Sequence, residues 1–122
     1  MPDLKTNHPP INITALKDYF WGLQDRITSA MSAVDGTAFV ADEWHKPEES
    51  KLKGYGRTCT LDGGNILEKG GVGFSHVRGD QMPPSASHHR PEVAGRHFEA
   101  MGVSLVFHPN NPHIPTTHMN VR

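Results

Sequence analysis

Serine, histidine, asparagine and arginine recur at two-residue intervals near the end of the chain. Residues 103–108 read Val-Ser-Leu-Val-Phe-His, residues 109–115 Pro-Asn-Asn-Pro-His-Ile-Pro, and residues 116–122 Thr-Thr-His-Met-Asn-Val-Arg. Successive side chains of a strand point to opposite faces. If 103–108 and 116–122 are strands joined by the proline-rich turn, Ser104 and His108 share one face, as do Thr116, His118, Asn120 and Arg122. A guanidinium grips a carboxylate through two parallel N–H donors, and an imidazole four residues away on the same face, with an amide between them, is placed to pass a proton to an acidic ligand. The chemistry indicated is binding of a carboxylate and proton transfer beside it. The reverse face, with Val103, Leu105, Phe107, Thr117, Met119 and Val121, is apolar enough to pack.

The remaining chemistry-bearing residues are less pointed. Nine histidines raise the question of a metal. His108, His113 and His118 draw together if the hairpin forms, and the pair His108 and His118 suits a hydrogen-bonded structural feature as well as an acid/base or metal site. His88-His89 reads as a solvated loop pair, and His8, His45, His76 and His97 have no neighbour at ligand spacing. The runs Gly54-Tyr55-Gly56 and Gly70-Gly71-Val72-Gly73 lack the Walker and dinucleotide spacings, so turn or bulge geometry accounts for them. Ser104 has no Gly-x-Ser-x-Gly elbow, and Cys59 in a presumed strand reads as a packing residue.

Several elements must position the hairpin. Residues 1–13, with three prolines, read as an N-terminal arm. From Thr14, a plausible N-cap, to Gly36, a plausible C-terminal cap, Leu16, Tyr19, Phe20, Leu23, Ile27, Ala30, Met31 and Val34 recur every three or four residues, which predicts a helix packed on a sheet. Lys17, Asp18, Gln24, Asp25 and Arg26 fall on its polar side. Residues 37–41 form a short β-prone run, with Trp44 beyond it, and 45–56 read as an exposed loop. Residues 57–61 and 66–69 flank Asp62-Gly63-Gly64-Asn65, a hairpin signal. A third strand is expected over 72–78, with Gly70, Gly71 and Gly73 at its entrance marking a bulge or a close approach. Residues 79–91 read as a surface loop. Pro91, then Val93, Ala94, His97, Phe98 and Met101, predict a short helix ended by Gly102.

At 122 residues the chain suffices for one domain, and tight turns between helix and strands argue an α+β fold with an antiparallel or mixed sheet. The net charge of −1 gives no bulk attraction to nucleic acid or an anionic membrane. No stretch has the length and apolarity of a transmembrane helix, and the N-terminus resembles neither a signal nor a transit peptide. A single cysteine excludes an internal disulfide and suits the cytoplasm. Because 116–122 is strongly patterned and stops without a closing turn, the chain is expected to be a truncated piece of a longer one.

The motifs Glu68-Lys69-Gly70-Gly71-Val72-Gly73-Phe74-Ser75-His76-Val77, Gly102-Val103-Ser104-Leu105-Val106, His108-Pro109-Asn110-Asn111-Pro112-His113-Ile114-Pro115-Thr116 and His118-Met119-Asn120-Val121-Arg122 resemble oxygen-dependent coproporphyrinogen III oxidase. The resemblance runs from about Ala15 to the end, over the N-terminal part of such an enzyme, so 1–122 is expected to be the first part of a single domain. It implies a large, flat antiparallel sheet flanked by α-helices on both faces, assembled as a homodimer, with residues 58–67 in the dimer contact. It implies oxidative decarboxylation of two propionates of coproporphyrinogen III to vinyl groups, giving protoporphyrinogen IX for haem synthesis. Molecular oxygen is the oxidant and no organic cofactor is needed. Carried over by motif, His118 is the proton donor, Ser104 contacts substrate, and Asn120, Val121 and Arg122 hold it. His108 and His118 are the positions at which a divalent metal would bind. Asn110 and His113 depart from the family's usual arginine and tyrosine. The alternative reading is a non-catalytic module that binds metal or a tetrapyrrole through the His108 and His118 hairpin.

Overall fold

The computed structural model describes residues 10–81, 88, 90–93 and 95–122. One α-helix, α1 (Ile13–Asp35), leads into β1 (Val40–His45), β2 (Leu52–Asp62), β3 (Leu67–Gly79), a 3-10 turn at Pro91–Val93, β4 (Phe98–Pro109) and β5 (Thr117–Val121). The strands form one sheet in the order β1-β2-β3-β4-β5, every pair antiparallel, and α1 packs on it against β3 and β4. This is an α+β fold with a multi-stranded antiparallel sheet and a helix. Among the described residues, no helix is long and apolar enough to cross a membrane.

The helix cap lies two residues before the expected one. Asn12, not Thr14, is the N-cap: its side-chain oxygen accepts from the Ala15 amide at 3.0 Å, satisfying one of the donors that a helix start leaves unpaired. The N-terminal arm therefore ends at residue 12, and residues 1–9 of it lie outside the described set. At the other end Gly36, at φ 84°, takes the left-handed conformation and donates to the Ser32 carbonyl at 2.8 Å, as expected of a C-terminal glycine.

Beneath α1 lies a core of Phe20, Val72, Phe74, Met101, Val103 and Leu105, with Ile13, Trp21, Leu23, Ile27, Phe39, Tyr55, Phe107 and Met119 packed around it. The helix is turned relative to the expected stripe. Leu16, Tyr19 and Val34 are exposed, whereas Gln24, assigned to the polar side, has no exposed surface. Gln24 is tolerated there because every polar atom is used: Nε2 donates to the carbonyls of Arg57 at 2.7 Å and Val72 at 2.8 Å, and Oε1 accepts from Arg57 Nε at 2.6 Å. Arg57 also pairs with Asp25 at 2.7 Å and lies 3.7 Å from the centroid of the Trp21 ring.

Three expected boundaries move. The loop over 45–56 shrinks, because β1 extends to His45 and β2 already begins at Leu52. Its glycines are strand residues at which a side chain has no room: a Cβ on Gly54 would lie 2.2 Å from the His76 carbonyl oxygen. The pieces 66–69 and 72–78 are one strand, β3, with a register shift between Leu67 and Lys69 opposite β4. The helix expected from Pro91 is a single 3-10 turn, Gly95 follows at φ 74°, and Phe98 and Met101 belong to β4, where they pair with Gly79 and His76. Two apolar residues three apart fit a helix or a strand, and here pairing with β3 decides. Ala94 and His89, the second member of the His88-His89 pair expected to be solvated, fall outside the described residues, as do positions 82–87 of the surface loop.

The β2–β3 turn is tied to the end of the helix. The Asp35 carboxylate accepts from the amides of Asn65 at 3.0 Å, Ile66 at 2.9 Å and Leu67 at 2.8 Å. Those bonds, the Leu67 amide foremost, outweigh the opposing effect of burial and hold its pKa down to about 2. A Cβ on Gly64 would lie 2.5 Å from Asp35 Oδ1, so the carboxylate fills the space a side chain would need. Asn110, from the turn after β4, joins the same corner, donating from its backbone to Ile66 and from Nδ2 to the Gly64 carbonyl at 2.9 Å.

Candidate active site

The sheet has two faces, and register assigns each residue to one of them. The covered face carries Cys59, Leu61, Val72, Phe74, Met101, Val103 and Leu105. On the open face the cross-strand pairs line up in rows. One row runs Asp42, Thr58, Gly73, Ser104, Asn120; its neighbour on one side runs Trp44, Gly56, Ser75, Gly102, and on the other Val40, Thr60, Gly71, Val106, His118. Arg122 follows directly after Val121, the partner of Val103, with its Cα 3.0 Å from where a Cβ of Gly102 would stand.

Ser104 and Asn120 are thus direct cross-strand partners, His118 is one row away opposite Val106, and Arg122 is one row away on the other side. His108 lies two residues beyond Val106, and its Nδ1 is 3.4 Å from the Thr116 hydroxyl. Cross-strand neighbours on one face stand about 5 Å apart and diagonal ones roughly 7 to 8 Å apart. A hydroxyl, an amide, a guanidinium and two imidazoles are therefore gathered on one end of the open face. All five residues are exposed. Among the described residues, Ser104, His118, Asn120 and Arg122 spend no side-chain hydrogen bond or ion pair on the protein. Val121 differs: it faces the helix side with Val103, so it offers the open face only main chain.

Beside these groups the floor is low. A Cβ added to Gly73 would meet nothing nearer than Ser104 Oγ at 3.7 Å, and one on Gly71 nothing nearer than Val106 Cγ1 at 4.0 Å. The glycines there leave the backbone bare rather than making room for a neighbour. The glycine run at the start of β3 thus alternates between a buried position, Gly70, and the open floor, which its spacing alone did not reveal. Residues 58–67, expected at a dimer contact, are the inner part of the β2–β3 hairpin, and both strands have neighbours on each side. A twofold contact there must use a face or the turn, not a strand edge.

Two imidazoles are fewer donors than a divalent ion takes from its ligands. Among the described residues no three His, Cys, Asp or Glu side chains come together as a metal site, so the donor set does not fit a metal held by these residues alone. His113 sits in the turn, its amide bonded to the Asn111 side chain at 2.9 Å, and is not on the floor. Asn110 holds two turns together.

A cluster on the covered side escaped the sequence reading. His76 Nδ1 lies 3.2 Å from the Tyr55 hydroxyl, and its Nε2 pairs with Glu99. The three come from β2, β3 and β4, so no local spacing could have shown them. Tyr55 also borders a cleft of about 370 Å³ between α1 and the β1–β2 end of the sheet, with Lys17, Asp18, Trp21, Glu43 and His45. Cys59 is buried on the covered face, and burial pushes its thiol pKa up. Comparison with known proteins gives one further finding: residues 15–122 match the family model described as Coproporphyrinogen III oxidase, and the chain belongs to that family.

Proposed function

We propose that, as a member of that family, this protein catalyses oxygen-dependent oxidative decarboxylation of coproporphyrinogen III to protoporphyrinogen IX in haem synthesis, residues 1–122 being the N-terminal part of its single domain. The observation that carries the reading is the pairing of Ser104 with Asn120, flanked by His118 and Arg122, beside a bare glycine floor. A flat-lying macrocycle needs an unobstructed surface, and its propionates need a cationic anchor at the rim.

Arg122 holds a propionate carboxylate through its paired N–H donors and Asn120 adds an amide donor. Ser104, opposite Asn120, hydrogen-bonds the same carboxylate or the adjoining pyrrole. For each propionate the balance is loss of one hydrogen and an electron pair from the carbon next to the pyrrole, and release of the carboxylate as carbon dioxide. Molecular oxygen takes the electron pair and, with that hydrogen and one proton, leaves as hydrogen peroxide. His118, on the same face, is the group that moves the proton. His108, held toward Thr116, orients the turn beside it. No organic cofactor is required. The active form is a homodimer, and its place is the cytoplasm, where the lone Cys59 thiol stays reduced.

The test is aerobic incubation of the intact protein with coproporphyrinogen III, with products separated after oxidation to porphyrins. Protoporphyrin formation, lost in His118→Ala, is expected. No turnover in the parent, with His118→Ala indistinguishable from it, overturns the assignment. Tight binding of a tetrapyrrole without oxygen consumption would instead favour a non-catalytic module.

A further inference from the structure

We infer that Trp44 is a substrate-binding residue that walls the far end of the substrate floor and stacks on a pyrrole ring remote from Arg122, an inference that rests on the function proposed above. Trp44 comes from β1, at the opposite edge of the sheet from β5, and opens the row Trp44, Gly56, Ser75, Gly102 that leads toward Arg122. Four strand spacings separate β1 from β5, roughly 19 Å. Between the two ends the row holds nothing larger than serine, and the neighbouring row holds Gly73.

The indole is fixed. It lies across Gly56, so closely that a Cβ there would fall 2.3 Å from Cζ2, and its Nε1 donates to the Thr58 hydroxyl at 3.2 Å. An aromatic ring tethered by its own N–H loses little freedom when a ligand stacks on it, which favours a well-defined contact. Lys46 Nζ stands over the ring, 6.0 Å from its centroid, on a partly exposed side chain that swings aside for a stacking pyrrole and leaves its carboxylate a cation within reach. The open face is therefore asymmetric, with guanidinium and imidazole at the β4–β5 end and an indole with an ammonium over its ring at the β1 end. A ligand that is apolar in its body and carries carboxylates at opposite rims matches both ends; a small monocarboxylate matches only the first. The second tryptophan, Trp21, packs against Phe74 at 5.4 Å on the covered face, where it serves as an internal control.

The experiment titrates the intact protein with coproporphyrin III, the fluorescent oxidised form that is not turned over, and measures affinity for the parent, Trp44→Phe, Trp44→Ala, Thr58→Val, Trp21→Phe and Arg122→Ala. Trp44→Ala is expected to weaken binding roughly tenfold, Trp44→Phe to restore most of it, and Thr58→Val to fall between. Trp21→Phe should bind as the parent does. If Trp44→Ala proves unstable, Trp44→Phe and Thr58→Val decide. Parent-like affinity in Trp44→Ala, or in Thr58→Val where Trp44→Ala does not fold, with binding lost in Arg122→Ala, overturns the role of Trp44 and leaves the proposed function standing. Absence of coproporphyrin binding in the parent, or parent-like affinity in Arg122→Ala, overturns the proposed site and this inference with it.

Discussion

Gln24 and Arg57 hold each other by a reciprocal pair of hydrogen bonds: the amide of Gln24 donates to the Arg57 carbonyl at 2.7 Å, and Arg57 Nε donates to the Gln24 side-chain oxygen at 2.6 Å. Gln24 has no exposed surface, and its side chain reaches both β2 and β3 from α1. Replacing it with leucine keeps the volume and strands the half-buried Arg57 Nε. Gln24→Leu is expected to lower unfolding free energy by about 2 kcal/mol, read from the urea midpoint. Asp25→Asn, at an exposed carboxylate, should cost at most about 1 kcal/mol and progressively less as salt is added.

Asp35 sets an acid limit on stability. Its folded pKa of about 2 lies below the ordinary aspartate value, so the unfolded chain takes up the proton more readily than the folded one. Its contribution is therefore complete above about pH 4 and is lost as pH falls through about 2. Thermal unfolding of the parent and Asp35→Asn between pH 2 and 6 checks this. The variant should be less stable at pH 6, and the gap should narrow toward pH 2.

The two glycines of the β2–β3 turn should respond differently to alanine. Gly63, at φ 63°, has nothing within 4 Å of a new Cβ, so Gly63→Ala meets only backbone strain of about 1 kcal/mol. Gly64→Ala would drive a methyl into the Asp35 carboxylate and should lose the amide bonds of Asn65, Ile66 and Leu67 as well. Denaturation midpoints should fall in the order parent, Gly63→Ala, Gly64→Ala.

Cys59 should be silent toward thiol reagents in the folded protein. It is buried and its thiol is pushed above the usual range. Labelling by a maleimide at pH 8 should proceed at the rate of global unfolding, and Gln24→Leu should accelerate it.

At the site itself, Arg122→Lys should not behave as a conservative change, because an ammonium cannot reproduce two parallel donors. Turnover of coproporphyrinogen III by Arg122→Lys is expected to fall at least tenfold, mostly through KM, whereas His118→Ala should fall mostly in kcat. Steady-state kinetics of the two variants separates binding from proton transfer.

Strand parity at residues 103–108 and 116–122 was legible, because alternation at a half-buried sheet edge is written directly in the side chains, and the structure pairs Ser104 with Asn120 on one face as that parity requires. The Asp62–Asn65 turn and the Gly36 cap were legible for the same local reason. What was not legible depends on partners distant in sequence. Gln24 reads as a surface residue until carbonyls of β2 and β3 stand over it. Gly54 and Gly56 read as loop punctuation until His76 and Trp44 occupy the space of their side chains. Tyr55, His76 and Glu99 meet only because three strands lie side by side.

The strand order of the sheet is also its order in the chain. During synthesis each strand emerges with its neighbour already in place, so the sheet can grow by addition at one edge without rearranging what is built. The row from Asp42 through Thr58, Gly73 and Ser104 is incomplete until β5 adds Asn120. Within residues 1–122 the glycine floor of β2 and β3 is thus made before β5, and the cross-strand row closes only when β5 docks on β4.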